Sequence, residues 1–288
     1  MSLSRDDITI RNIIKCSADA KISSAEIDLL LLELVFDANL EHRSISDIKN
    51  EVSHKYELLK DQRKKQQVEL SKFEMAREQL LICKHLALSF KHDWGTDTEK
   101  MQKRDFSGIA YWYSNSYAKE ALLKFEKAFG SRDEIPVDSF TAVCESTDDG
   151  NTLGIIPIIN SNDGRLMSFY RVIDKYDLKI SAVCKVENPD GEGFTKFALV
   201  GKHLVNTGVT KKMTVEFATN RAIVDVVSMV EHMGGEIGEI TSVPFLHSNT
   251  ECANYISITV DSHLVYEMWL YMYIFFGEVD FIGVYTEI

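Results

Sequence analysis

Cysteine is sparse in this sequence, and no two cysteines stand close together. Tens of residues separate each of the five from the next: Cys16, Cys83, Cys144, Cys184 and Cys252. The absence of any Cys-x-x-Cys spacing argues against a zinc knuckle and against a local redox-active pair. We therefore expect all five to be buried, reduced thiols.

Proline and long apolar runs are also scarce. No proline precedes Pro136, so nothing local forbids long helices in the first part of the chain. The most apolar stretch, 264–276, is too short for a membrane span and carries Glu267. The charged N-terminus lacks the apolar core of a signal peptide. We expect a cytoplasmic protein that does not engage membranes.

The negative charge is unevenly placed. Residues 1–104 balance 18 Lys and Arg against 18 Asp and Glu, so the whole net charge of −12 falls in residues 105–288. An acidic surface of this kind argues against nucleic acid as a main partner. A bound anion would need a local cluster of cations.

The usual catalytic signatures are absent. The sequence has no phosphate-binding GxxxxGKS, no GxGxxG, no HExxH and no GxSxG. Its eight histidines are scattered, and none belongs to a cluster typical of a metal site. We expect neither a metal nor a cofactor.

Three segments differ in their hydrophobic pattern. Residues 1–92 show helical spacing, which predicts a helical domain, and the polar stretch 93–105 reads as a linker. Residues 106–205 alternate between strand-like and helical patterns, which predicts a small layered α/β domain. Residues 206–288 read as β-α-β-β-α-β, the order of a ferredoxin-like domain, with Gly234 and Gly235 ending its first helix.

Three stretches of the middle segment form a recognisable set. They are an opening strand and turn at 109–122, a Thr-Lys-Phe strand in FTKFALVGK at 194–202, and GIIPIINSNDG at 154–164. Together they resemble prephenate dehydratase, whose motif the last stretch matches at Pro157, Ile158, Asn160, Ser161 and Gly164. The resemblance implies that Thr195 and Lys196 are catalytic and that Asn160, Ser161 and Phe197 bind substrate.

Two departures bear on that activity. Lys196 stands where the family has an arginine, and lysine lacks the forked geometry that grips a carboxylate. Only a short loop follows Val186, where the family has a second lobe that closes the substrate cleft. We therefore predict little or no dehydratase activity.

The N-terminal segment resembles the helical chorismate mutases that are fused to this dehydratase in phenylalanine biosynthesis. EIDLLLLEL and ISDIKNE, within 26–51, look like the family's long first helix. The resemblance implies that Lys49 is an essential cation and that His85 and Ser89 close the site, whereas Ala38 replaces an arginine. The remaining implied catalytic residues are Lys21, Asp61 and Arg63.

The C-terminal segment resembles an ACT domain, a regulatory module that binds amino acids. The resemblance places Ala222 and Ser242 at the regulatory ligand site, although Arg221 and Val243 replace a glycine and an arginine there. A structural module without a ligand is an open alternative. Because ACT domains pair side by side, we expect a homodimer.

The sequence thus predicts an α+β multi-domain chain with a chorismate-mutase-like domain, a truncated dehydratase-like domain and an ACT-like domain. Its first functional interpretation is a divergent relative in aromatic amino-acid biosynthesis, with mutase (isomerase) activity favoured over dehydratase (lyase) activity. The alternative is a non-catalytic small-molecule-sensing or assembly protein on the same scaffold. Either would bind a small carboxylate: chorismate, prephenate or an amino acid.

Overall fold

The structure is a computed structural model that describes residues 4–17, 24–36, 43–89, 106–162, 164–165, 167–188, 192–205, 210–244, 252–277 and 279–288. The predicted linker, Lys21 and Ala38 lie outside these ranges. No helix within the described ranges is both long enough and apolar enough to cross a bilayer.

Nine α-helices and ten strands follow one another in the described ranges. In chain order they are α1 (Arg5–Ser17), α2 (Ser24–Val35), α3 (Ile45–Lys65), α4 (Lys72–Ser89), β1 (Gly108–Trp112), α5 (Ser116–Phe129), β2 (Asp133–Val137), α6 (Phe140–Glu145), β3 (Thr152–Asn160), β4 (Gly164–Arg165), α7 (Met167–Tyr176), β5 (Lys179–Glu187), β6 (Phe194–Gly201), β7 (Lys212–Thr219), α8 (Ile223–Met233), β8 (Glu236–Pro244), β9 (Cys252–Asp261), α9 (Val265–Tyr271) and β10 (Val279–Tyr285). A π-helical turn, Met272–Phe276, follows α9.

The predicted order of helices and strands is confirmed, with three differences. The sequence pattern missed the short helix α6 and the two-residue strand β4. Residues 26–51 do not form one long helix, because α2 ends at Val35 and Ser44 caps the start of a separate helix α3. The Ser44 side chain accepts a hydrogen bond from the Asp47 N–H, which satisfies one free donor of that first turn.

Some large apolar side chains on the amphipathic helices are exposed. Leu29 is 68% exposed although its neighbours Leu31 and Leu34 are buried. On α8, Ile223 and Val224 are exposed. The buried face of that helix carries Val226, Met229, Val230 and Met233.

The expectation of buried, reduced thiols is confirmed for three cysteines. Cys83, Cys144 and Cys184 are buried and free, whereas Cys16 is free but only half-buried. The side chain of Cys252 lies outside the description.

Contacts divide the chain into two compact units that do not follow the sequence order. The helical unit comprises Met1–Asp93, Asn220–Glu236 and His263–Val279. The sheet unit comprises Trp94–Thr219, Ile237–Ser262 and Asp280–Ile288. The sequential domain boundaries proposed from the sequence remain a prediction.

One mixed sheet runs through the sheet unit in the order β2-β1-β3-β6-β5-β10-β7-β9-β8, with β4 paired to β3. Strands β1, β2 and β3 are parallel, so their carboxyl ends lie at one edge of the sheet. Strand β6 is antiparallel to both β3 and β5. Two apolar cores lie on opposite faces, one under α5 and the other under α6 and α7.

The last four strands stand in the order β10-β7-β9-β8. Numbered within the C-terminal segment, this is 4-1-3-2, as the predicted β-α-β-β-α-β order requires. Strand β10 also pairs in parallel with β5, where Gly283 lies opposite Ile180. The sheet is therefore continuous across the proposed boundary at residue 205, and β10 has a strand on both sides.

A buried carboxylate links three elements of the sheet unit. Glu216 on β7 is 0% exposed and accepts a hydrogen bond from the Tyr285 hydroxyl on β10 at 2.8 Å. The Tyr170 hydroxyl on α7 donates to the same carboxylate at 3.4 Å. Because a buried carboxylate is costly without donors, these tyrosines fix α7 against the C-terminal strands.

The helical unit has a buried ion pair between α3 and α4. Both Nη atoms of Arg63 donate to the two carboxylate oxygens of Glu78 at 2.8 Å, and these residues are only 3% and 4% exposed. The Tyr56 hydroxyl donates to Glu78 Oε2 at 3.1 Å. Burial raises the pKa of Tyr56 well above its usual value, and the Glu78 charge adds to this effect. The network therefore keeps a neutral tyrosine beside a fully paired carboxylate.

Gly283→Val tests the junction between β5 and β10. A Cβ atom at position 283 would lie 2.7 Å from Ile180 Cβ and 2.8 Å from the Ile180 carbonyl oxygen. We expect the free energy of unfolding in urea to fall by about 1–3 kcal/mol, the usual cost of overpacking. Asp280→Val is the control, because Asp280 is exposed and loses only a surface pair with Lys179, worth less than about 1 kcal/mol. Equal losses in both variants would contradict the proposed role of Gly283.

Glu78→Gln tests the buried ion pair. The variant leaves the Arg63 guanidinium buried without a carboxylate, which we expect to cost about 3–5 kcal/mol of unfolding free energy. The matched control is Glu57→Gln, which breaks the exposed Glu57–Lys60 pair of α3 and should cost less than about 1 kcal/mol. Similar unfolding midpoints in urea for the two variants would contradict the larger contribution to stability expected of Glu78.

Candidate functional site

The matched dehydratase motif lies where β3 ends beside the start of β6. Asn160 pairs with Thr195 across the two strands, and Asn160 Nδ2 donates to Thr195 Oγ1 at 3.4 Å. Asn160 Oδ1 accepts a hydrogen bond from the Asn162 N–H at 2.9 Å. The structure therefore brings Asn160 and Thr195 together, and it also uses Asn160 to form the turn.

Ser161 closes the same end of the strand pair. Its hydroxyl accepts a hydrogen bond from the Phe194 N–H at 2.9 Å, and its own N–H donates to the Phe194 carbonyl at 2.9 Å. Gly193 has a φ of +94°, and a Cβ there would lie 2.3 Å from Ser161 Oγ. The glycine is required because this turn needs both the positive φ and the close approach.

Thr195 and Lys196 point to opposite faces of the sheet, because side chains alternate along a strand. Thr195 is on the face of Phe197 and Leu199, which pack under α5. Lys196 is on the face of Ala198, and its Nζ binds Glu287 Oε2 at 2.5 Å. The two residues predicted to be catalytic cannot converge on one small ligand in this arrangement.

Phe197 lies inside the core. It is 1% exposed and packs with the apolar side chains on the α5 face. Its ring is closed to solvent, so the structure gives no support to its predicted substrate contact.

A pocket of about 190 Å³ lies between α6, β3 and α7. It is close to the carboxyl end of β3, and sheets with parallel strands commonly bind ligands at that edge. Thr141 and Ser168 are exposed at this pocket. Its apolar lining residues are Phe140, Cys144, Ile156, Pro157, Phe169 and Val172.

A lysine stands beside this pocket. Lys175 follows Val172 by one turn of α7, and its charge interacts with Cys144, a lining residue. Lys175 Nζ donates to the Tyr176 hydroxyl at 3.2 Å. Burial raises the pKa of the Cys144 thiol to about 11, with the Glu145 charge adding to it, so the thiol is neutral at physiological pH. The pocket thus has an uncharged apolar interior, and an exposed ammonium group stands one helical turn from its lining residue Val172.

Sequence reasoning found only part of this pocket. The dehydratase motif identified Pro157, but α6 was missed, and with it Phe140, Thr141 and Cys144. The strongly amphipathic pattern of α7 was a usable signal, because Phe169 and Val172 lie on its apolar stripe.

The residues matched to the mutase do not form one cluster in the described helical unit. Lys49 Nζ lies over the Tyr273 ring, 4.0 Å from its centroid. Lys49 and Arg63 both lie on α3 and are fourteen residues apart, which is about 21 Å along a helix. Asp61 is exposed near the end of the same helix, and Arg63 is held by Glu78.

The residues expected to close the mutase site interact locally. The Ser89 hydroxyl donates to the His85 carbonyl at 2.8 Å, and the His85 ring packs against Phe36 at 4.7 Å between centroids. Both contacts stabilise α2 and α4. Nothing in them points to a ligand.

The two positions matched to the ACT ligand site lie in different units. Ala222 is exposed and precedes α8 in the helical unit. Ser242 is on β8, and its hydroxyl donates to Asn254 Oδ1 at 2.7 Å. Arg221, which replaces a family glycine, donates to the carbonyls of Phe275 and Phe276 at 3.0 and 2.7 Å. Arg221 thus caps the π-helical turn, where carbonyls lack helical partners.

No group of three His, Cys, Asp or Glu side chains that could hold a metal ion occurs in the described ranges. The polar groups around the pocket are hydroxyls and an ammonium, which suit an organic anion better than a cation.

Comparisons with known proteins give a fold and no closer relationship. No protein-family model matches the chain, and no curated protein matches it. The crystal structure of prephenate dehydratase from Streptococcus mutans is 16% identical with a TM-score of 0.53, and the match covers 63% of this chain and 98% of that one. This chain therefore shares the prephenate dehydratase fold over that part of its length.

Two further solved structures match less well. A quorum-quenching acylase, GqqA, is 14% identical with a TM-score of 0.46, and the match covers 62% of this chain and 94% of that one. Prephenate dehydratase from Arthrobacter aurescens, solved in complex with L-Phe, is 13% identical with a TM-score of 0.46, covering 62% and 90%.

Proposed function

We propose that this chain is a non-catalytic small-molecule-binding protein that uses a dehydratase-like fold to hold a small aromatic carboxylate. The pocket between α6, β3 and α7 carries the proposal, because it joins an apolar interior to a lysine at its side. An aromatic carboxylate complements both features, because its ring is apolar and its carboxylate can pair with the lysine.

The size of the pocket suits one aromatic ring. Its volume is about 190 Å³, and an apolar cavity of about 150 Å³ can hold benzene. Phe140 and Phe169 supply ring faces against which a second ring can pack in an offset or edge-on manner. A ring with a short acidic side chain would fill the pocket and leave its carboxylate near the surface.

Lys175 is the better partner for that carboxylate. Lys196 lies on the same face of the sheet, but Glu287 holds its ammonium group at 2.5 Å. Lys175 is one helical turn from Val172, and its ammonium group donates to the Tyr176 hydroxyl. The Glu145 charge also acts on Lys175, but the two side chains form no ion pair in the described part of the chain. An incoming carboxylate can therefore bind Lys175 without first displacing a paired acidic side chain, as it would have to at Lys196.

Several observations favour binding over catalysis. Thr195 and Lys196 lie on opposite faces, and the Asn160 and Ser161 side chains form local hydrogen bonds. Only six residues separate β5 from β6, too few for a second lobe. Catalysis of an elimination needs groups fixed around one reacting centre with water excluded, and a pocket open on one side does not provide that.

The C-terminal segment supports an ACT-type module through its strand order. Because Arg221 is engaged in capping, the family's mode of amino-acid binding is not part of the proposal. The predicted homodimer would pair through a free strand edge. In this module, β8 is the strand at an edge of the described sheet.

Binding is tested by calorimetry with 3-phenylpropionate and phenylpyruvate, two aromatic carboxylates that carry no ammonium group. We expect Val172→Phe to weaken binding more than tenfold, because the larger ring occupies the pocket, and Lys175→Met to weaken it about fivefold to tenfold. The matched controls are Val227→Phe on α8 and Lys127→Met on α5, which are half-buried and exposed respectively and lie outside the pocket. Absence of binding by both compounds at millimolar concentration would refute the proposal.

Turnover separates this proposal from the enzymatic interpretation. Chorismate loss is followed by ultraviolet absorbance, and phenylpyruvate is assayed after incubation with prephenate. We expect neither reaction above the uncatalysed rate at high protein concentration. Chorismate loss that Lys49→Ala abolishes would establish a mutase, and phenylpyruvate formation would establish a dehydratase; either result overturns the non-catalytic assignment.

A further inference from the structure

A second, larger cavity lies in the helical unit, at the turn between α3 and α4. Its volume is about 420 Å³, which is within the range of about 300–1,000 Å³ usual for small-molecule sites. Ten residues line it: Glu57, Lys60, Asp61, Arg63, Lys64, Gln67, Val68, Glu69, Leu70 and Met75.

One side of this cavity is apolar. Val68, Leu70 and Met75 are half-buried and come from the connecting segment and the start of α4. The segment turns at Gln67, which has a positive φ of 58°, and the Val68 N–H donates to the Arg63 carbonyl at 2.9 Å. Because Met is flexible and polarisable, this wall can adapt to different apolar groups.

The charged side of the cavity contains both signs, and some of these charges are already paired. Lys60 Nζ binds Glu57 at 2.7 Å, and Arg63 uses both Nη atoms on Glu78. Arg63 Nε has no hydrogen-bond partner among the described residues, but it is buried and so is closed to a ligand. Neither the lysine nor the arginine is available as the main contact.

Asp61 and Lys64 differ from those pairs. Both are exposed lining residues, and within the described part of the chain neither side chain makes a hydrogen bond or ion pair. They are three positions apart on α3, so their Cβ atoms are about 5–6 Å from each other. An ammonium group and a carboxylate on one carbon atom can therefore face both at once.

We propose that this cavity binds a free α-amino acid with an apolar side chain. Lys64 binds the α-carboxylate, Asp61 binds the α-ammonium group, and the side chain packs on Val68, Leu70 and Met75. Glu69 is a further carboxylate in the lining of the cavity. The balance of lining charges selects a zwitterion over a simple anion or cation, because either simple ion would leave one member of the Asp61–Lys64 pair unused.

Calorimetric titration with L-leucine and L-methionine tests this site, since neither carries the ring that the sheet-unit pocket is proposed to hold. We expect saturable binding of both. N-acetyl-L-leucine lacks the ammonium group and L-leucine amide lacks the carboxylate, so each should bind at least about fivefold more weakly. Equal affinity for leucine and either derivative would overturn the proposal, as would no binding of leucine and methionine at millimolar concentration.

Variants locate the binding. Lys64→Met and Asp61→Asn should each weaken leucine binding about fivefold or more, with little change in stability because both residues are exposed. The matched control is Lys65→Met, an exposed lysine of the same helix that does not line the cavity. Equal losses for Lys64→Met and Lys65→Met would show a general charge effect and reject the site.

The two proposed sites are separable in one set of measurements. Val172→Phe should weaken 3-phenylpropionate binding more than tenfold and leave leucine binding unchanged. Lys64→Met should weaken leucine binding about fivefold or more and leave 3-phenylpropionate binding unchanged. Loss of leucine binding in Val172→Phe would place leucine in the sheet-unit pocket and reject the site at Asp61 and Lys64.

Discussion

The pairing of β10 with β5 is the constraint on which the sheet unit depends. Without it, the strands before and after residue 205 would form two separate sheets with two extra edges. With Gly283 opposite Ile180, they form one sheet. The buried Glu216 carboxylate accepts hydrogen bonds from a tyrosine hydroxyl of α7 and from another of β10. Helix α7, which lines the pocket between α6, β3 and α7, is thereby fixed to the C-terminal strands. Parallel pairing at this junction needs a glycine because the two backbones approach closely.

The helical unit is organised around a different interaction, the Arg63–Glu78 pair. Its cost in desolvation is offset only because both ends are bonded and Tyr56 adds a third donor. The pair fixes the end of α3 against α4 and so gives the connecting turn its shape. The cavity with Asp61 and Lys64 lies at that turn. Arg63, which the family resemblance implied to be catalytic, thus has a structural role, whereas the exposed Asp61 and Lys64 remain available to a ligand.

Local pattern predicted the elements well because their periodicities were strong. The helices of the first ninety residues, the strand at 152–160 and the β-α-β-β-α-β order could all be read from spacing and glycine signals. Three features could not be predicted from the local sequence. The six-residue α6 is too short to show a period, the grouping of α8 and α9 with N-terminal helices is a long-range contact, and the partner of β10 depends on residues a hundred positions away. A pocket built on such features cannot be predicted either, which is why Phe140 and Cys144 of α6 were not identified as pocket residues.

The side chains of the motif residues are engaged in bonds within the protein. Asn160 and Ser161 close the β3–β6 turn, and Lys196 is neutralised by Glu287. Each polar group is therefore already satisfied, and a substrate would have to break these bonds before gaining its own. Binding demands much less than catalysis, since an apolar pocket with one charge at its side suffices to orient a small ligand. The pocket lined by Pro157 meets that lesser demand, mainly with residues of α6 and α7 that lie outside the motif.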